Sequence, residues 1–183
     1  MNITVPQTEE YADITKLVID GEMDVLTRKL MRFPHLCHQQ NEYGDFIAHT
    51  ACRFGRSEVV MLLGRLEYDF DSEYNSMGYL PIHTACQYRQ IDCVLALQLC
   101  GADIGAPTES DKLTSMHIAC RLGYIPLVHA LVRAGVKFNT PDAYGNTPLS
   151  TAVALGYTSI TDIARSQMDF TEQAKQCIRN LLK

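Results

Sequence analysis

NSMGYLPIHTACQYR occupies residues 75–89, and its inner tetrapeptide, HTAC at 83–86, also stands at 49–52. HIAC follows at 117–120. His49, His83 and His117 are 34 residues apart, as are Cys52, Cys86 and Cys120, with Ala51, Ala85 and Ala119 between them. Gly44 and Gly78 stand ahead of two copies, and Gly55, Arg89 and Gly123 follow the three. A fourth copy arrives one residue early as Gly145, Thr147-Pro148-Leu149, Ser150, Ala152 and Gly156. Counting back 34 from Gly55 reaches Gly21 in VIDGEMDVL. The chain is therefore about five copies of one unit, the first and last worn. A fixed period of this length means a stack in which each unit buries its apolar face against its neighbours.

A period near 34 fits two helical repeat families, so local chemistry must choose. The tetratricopeptide pattern opens on Trp and carries Leu-Gly and Tyr at set offsets; this chain has no Trp. DAYGNTPLSTAVALGY at 142–157, and the stretch quoted first, instead resemble the ankyrin line D-x-x-G-x-T-P-L-H-x-A-A-x-x-G. The resemblance covers roughly residues 10–168. It implies an all-α, ankyrin-repeat solenoid of stacked helix-turn-helix units with β-hairpin loops and a C-terminal capping helix. On this reading residues 1–183 are a single domain. A degraded N-terminal capping repeat takes 10–40, repeats take 41–74, 75–108, 109–141 and 142–170, and the capping helix takes 171–183.

The residues make physical sense in that frame. Gly44, Gly78 and Gly145 supply the positive φ of a tight turn. Thr147-Pro148 reads as a helix N-cap followed by proline at the first helical position, where its missing N–H costs nothing. Ala51, Ala85, Ala119 and Ala152 let two short helices approach closely. The second helix of each unit carries the bulkier apolar face: Val59, Val60, Leu62 and Leu63; Val94, Leu95 and Leu97; Leu127, Val128, Leu131 and Val132. Pro126 falls in a helical first turn, which tolerates it. Some positions depart from the family line. Lys112 stands in a glycine slot, implying a distorted hairpin or a lysine held at positive φ at roughly 1 kcal/mol. Phe46-Ile47-Ala48 replaces Thr-Pro-Leu, and Gly64 replaces a leucine. Near the end, Ala174, Cys177, Ile178, Leu181 and Leu182 share one helical stripe opposite Glu172, Lys175, Gln176 and Arg179. A helix with one polar face is what the open end of a stack needs, and residues 11–33 serve the same purpose at the other end.

Composition narrows the function. The formal net charge is −5 with no Lys/Arg block, which argues against nucleic-acid or anionic-membrane binding. The N-terminus, MNITVPQTEEYAD, lacks the apolar core of a signal peptide, and no run of eighteen apolar residues exists. Seven cysteines, an odd number spread along the chain, suit reduced thiols in the cytoplasm or nucleus.

The His-x-x-Cys pairs invite a metal reading, but zinc needs four ligands at roughly 2.0–2.3 Å. Each copy offers two ligands at most, and equivalent slots in packed helices stand roughly 8–10 Å apart. A disulfide ladder fails on the same geometry. In the resembled family that histidine ties adjacent hairpins together by hydrogen bonds, and the cysteine takes a buried small-residue slot. No copy adds a carboxylate in register for a thiol nucleophile, and no G-x-S-x-G, P-loop or H-E-x-x-H motif is present. Neither an enzyme nor a metal or cofactor site is expected.

The resemblance places partner binding on a concave strip of first helices and hairpins. Its free positions carry Arg53-Phe54, Gln87-Tyr88, Arg121-Leu122 and Ala154-Leu155 at the helix ends. The hairpin tips give Tyr43 and Asp45, Met77 and Tyr79, Asp111 and Leu113, and Tyr144 and Asn146. Tyr, Phe, Met and Arg are the types enriched at protein interfaces. The expected function is a non-enzymatic interaction module, an adaptor or scaffold that binds a protein or extended peptide and is monomeric alone. Phe54, Tyr79 and Tyr88 would be its anchors, with Arg53 and Arg121 pairing acids at the rim. The alternative is an inhibitor or regulator, similar to the cyclin-dependent-kinase or NF-κB inhibitors of the family. Two further readings are a redox or metal protein using the cysteines, and a methyl-lysine reader caged by Tyr43, Phe54, Tyr79 and Tyr88. Asn139 sits in a context resembling asparagine hydroxylation sites of ankyrin proteins, although Lys137 replaces the acid often found two positions earlier.

Overall fold

A computed structural model describes the backbone over residues 7–181 and the side chains over 14–169. Ten α-helices follow in order: α1 (Gln7–Asp20), α2 (Met23–Arg32), α3 (Ile47–Arg53), α4 (Ser57–Arg65), α5 (Pro81–Gln87), α6 (Ile91–Leu99), α7 (Ser115–Leu122), α8 (Ile125–Arg133), α9 (Pro148–Ala154) and α10 (Thr158–Leu181). A 3₁₀ turn, Pro34–His38, separates α2 from α3. Odd-numbered helices pack on one another in sequence as an inner layer, and α4, α6, α8 and α10 form an outer layer behind them. The architecture is the all-α repeat solenoid that the 34-residue period implies.

Each helix has a local cause. α9 starts at the expected cap: the Thr147 hydroxyl accepts from the Ser150 N–H at 3.1 Å, and Pro148 takes the first helical position. Phe46-Ile47-Ala48 still opens α3, with Phe46 at the N-cap and no side-chain cap bond. Ala51, Ala85, Ala119 and Ala152 are fully buried where inner and outer helices meet. In α6 the expected apolar face is corrected at one position: Leu95 is 44% exposed, and the smaller Cys93 and Ala96 fill the core beside Val94 and Leu97. Gly64 also finds its reason. A Cβ there would collide with Cys100 Sγ and lie 3.1 Å from Cys100 Cβ, so a leucine has no room.

The loops between repeats close as bonded turns. The Asn41, Asn75 and Asp142 side chains each accept from two backbone N–H groups, two and four residues on. Successive turns are stitched together by Ser76 N–H to Gly44 C=O and Glu109 N–H to Gly78 C=O. The third turn runs one residue longer, from Thr108 N–H to Leu113 C=O, and Lys112 holds a left-handed φ of 55°. Both expected outcomes are present: the turn is distorted by one residue, and Lys112 holds the left-handed backbone. Lys112→Gly is therefore expected to raise stability by about 1 kcal/mol, read as a melting temperature higher by about 2–4 °C. An unchanged or lower melting temperature would show that the turn carries no strain. Glu67 and Arg89 also sit at positive φ, 57° and 59°, in slots where other copies carry glycine.

Residues 171–183, expected as a capping helix, lie outside the described side chains; the backbone to Leu181 continues α10 without a break. Among the described residues, no helix is long and apolar enough to cross a membrane.

Candidate functional site

The HTAC and HIAC tetrapeptides lie on the inner helices α3, α5 and α7. His49, His83 and His117 donate from Nε2 to the carbonyls of Tyr79, Ala106 and Asn146 in the following turn, at 2.7, 2.9 and 3.1 Å. The other ring nitrogen of His83 accepts from the Leu80 N–H, and that of His117 from the Thr114 N–H, both at 3.0 Å. Both rings are thus fixed in the neutral tautomer. Burial pushes His83 down to about 4 and lowers His49 and His117 as well. His49 Nδ1 is buried without a partner. Burial raises the thiols of Cys52 and Cys86, and pushes Cys120 up to about 12. Thiols held protonated in the core are poor nucleophiles and poor metal ligands.

The strip residues divide by what they touch. Asp45 is corrected from an open tip position: it is 2% exposed. Its carboxylate accepts from Arg53 through Nε, at 3.1 Å, and Nη2, and from Asn75 Nδ2 at 2.7 Å. Arg53 is corrected with it, because its charge is met inside the chain. Its guanidinium lies 4.8 Å over the Tyr88 ring and bonds the Tyr88 hydroxyl. Asp45, Arg53, Asn75 and Tyr88 are therefore one network across two repeats. Arg121 Nη2 reaches back to Gln87 Oε1 at 3.3 Å, and Tyr144 OH reaches Asp111 Oδ1 at 3.4 Å.

Phe54 and Tyr88 occupy equivalent C-cap positions and stay 46% and 43% exposed. Tyr43, Met77 and Tyr144 stand well out at the turn tips, and Asn146 is exposed beside Asp142. Leu122 is half-buried against the core, and Tyr79 and Leu113 are half-buried. Tyr79 tilts against His83 at 5.8 Å. Among the described residues, none of the rings of Tyr43, Phe54, Tyr79 and Tyr88 meets another of the four, so they do not converge into a cage.

The structure adds a residue that sequence reading passed over. Arg89 is exposed, and its guanidinium lies 5.2 Å over the Tyr124 ring. The signal was present: an arginine filling the slot of Gly55 and Gly123.

The family model described as ankyrin repeats matches residues 11–108 and 96–171, in three copies. No curated protein matches the chain.

Proposed function

The chain belongs to the ankyrin-repeat family, and from that premise we propose that it is a non-enzymatic interaction module holding a protein or extended peptide along its inner-helix strip. One observation carries the reading. Phe54 and Tyr88 keep 46% and 43% of their surface in water at equivalent positions, although aromatic side chains normally recover energy by burial. Exposed rings rimmed by polar groups are what a partner covers. Free buried thiols suit a reducing compartment, so the module belongs in the cytoplasm or nucleus. An adaptor and an inhibitor would use the same strip, and the partner's identity separates them.

The test is affinity capture from lysate of the native source, with the wild-type protein beside a folded Phe54→Ala/Tyr88→Ala variant. A partner held by the wild type and lost by the variant supports the strip. Titration of that partner should then show Tyr88→Ala weakening binding by about 2 kcal/mol. Equal capture by both proteins would move the site elsewhere on the stack.

A further inference from the structure

We infer that the seam between α5 and α7 is a carboxylate clamp, in which Arg89 and Arg121 grip Asp or Glu side chains of an acidic extended segment of the partner. The inference deepens the strip reading and rests on it. Its starting point is the placement of charge among the strip's arginines. Arg53 is neutralised by the buried Asp45. Arg89 and Arg121 are exposed, and among the described residues no carboxylate pairs with either.

The two side chains cross the same inter-repeat seam in opposite directions. Arg121 reaches back from α7 onto Gln87, while Arg89 reaches forward from the end of α5 onto Tyr124. Gln87 is neutral and occupies one donor, so the Arg121 charge stays uncompensated. Tyr124 holds the Arg89 guanidinium over its ring by cation–π attraction, which leaves N–H groups for an acceptor. A guanidinium held in this way loses less freedom when it closes on a carboxylate.

Arg89 also holds a left-handed backbone, φ 59°, in a slot where the copies on either side have Gly55 and Gly123. The fold has no need of an arginine there. Charge complementarity then selects the occupant: the chain as a whole carries −5, yet this seam presents two arginines that, among the described residues, no carboxylate pairs with. Tyr88 and Leu122 beside the pair favour a segment that mixes acidic and apolar residues over a bare polyanion.

The probe is a fluorescein-labelled decapeptide of glutamate alternating with serine and leucine, read by anisotropy in low salt against its glutamine counterpart. The wild type should bind the glutamate peptide at least about tenfold tighter than the glutamine one. Arg89→Gly and Arg121→Gln should each weaken it by about tenfold, and Lys112→Gly, which removes a like charge from another strained turn, should leave it unchanged. Arg89→Gly relieves a left-handed arginine, so its melting temperature should hold or rise by up to about 4 °C, separating lost binding from lost fold. Binding by Arg89→Gly within twofold of wild type, or equal binding of the two peptides, overturns the clamp. A phosphoserine counterpart bound more than tenfold tighter would reassign the seam to phosphate and overturn the carboxylate assignment. If the probe ignores Arg89 while Phe54→Ala/Tyr88→Ala still loses its captured partner, the clamp falls and the strip stands. If the probe depends on Arg89 while that partner is retained, the strip reading falls and takes with it the clamp's role in holding that partner, leaving only carboxylate binding at the seam.

Discussion

Acidification from pH 6.5 to pH 4 is expected to remove about 3 kcal/mol of stability through His83 alone. His83 is fully buried, donates to the Ala106 carbonyl and accepts from the Leu80 N–H, so a second proton would displace a bond and charge a dry site. Burial therefore holds it at about 4, against 6.5 for an ordinary imidazole. Below 6.5 the unfolded chain takes up a proton that the folded chain refuses until about 4. The folded state is thus fully favoured above 6.5 and loses ground as the pH falls through that window. His49 and His117 are displaced in the same direction by the same cause and steepen the loss. Asp71 works the other way, burial raising its carboxyl, but it is exposed and solvent screens the effect. Urea midpoints at pH 7.5, 6, 5 and 4.5 measure the slope, with His83→Gln as the comparison. The variant should start less stable yet lose less on acidification. A wild-type midpoint that is flat across the series, or an equal slope in His83→Gln, would remove His83 as the source.

The same histidines show why the fold could be read from sequence. A 34-residue step reports what every repeat needs: a small residue between layers, a ring tying one turn to the next, a left-handed turn residue. Those demands recur, so they are visible as periodicity. Lys112 was legible for the same reason, as a break in a pattern whose physical meaning was known. What escaped is what belongs to one seam only. Arg53 meets Tyr88 35 residues later, and Asn75 meets Asp45 30 residues earlier. Neither pairing has a counterpart one period away that would advertise it. Asp45 therefore looked like a tip residue, although Asn75 and Arg53 close over it. Leu95 matched the apolar pattern of α6, yet which face points inward depends on Cys93 and Ala96 fitting beside the neighbouring helices. Gly64 is explained only by a thiol 36 residues away, at Cys100. Arg89 was visible as an anomaly, but its meaning required knowing that Arg53 is neutralised and Arg121 is not.

Asp45→Ala is expected to lower stability by about 2–3 kcal/mol and to change what the strip presents. The carboxylate is 3% exposed and serves two residues at once, Arg53 in its own repeat and Asn75 in the next. Its removal leaves the Asn75 amide, itself buried, without that acceptor, a loss of about 1–3 kcal/mol. Arg53 loses its counter-charge, but at 29% side-chain exposure it can turn toward water, which keeps the total below that of a fully buried broken pair. Asp45→Asn separates shape from charge: it keeps an acceptor for Asn75 and should lose only about 1 kcal/mol. Binding should move the opposite way. With Arg53 released from its neutralising carboxylate, a third guanidinium joins Arg89 and Arg121, and Asp45→Asn should bind the glutamate decapeptide roughly threefold tighter. The gain should vanish in salt, since a solvent-exposed charge is screened over about 8–10 Å at physiological ionic strength. Urea unfolding and anisotropy on the same preparation read both effects. An Asp45→Asn protein that is as stable as wild type and binds no tighter would mean that Asp45 does not restrain Arg53. Uncompensated charge on the strip would then not be confined to Arg89 and Arg121.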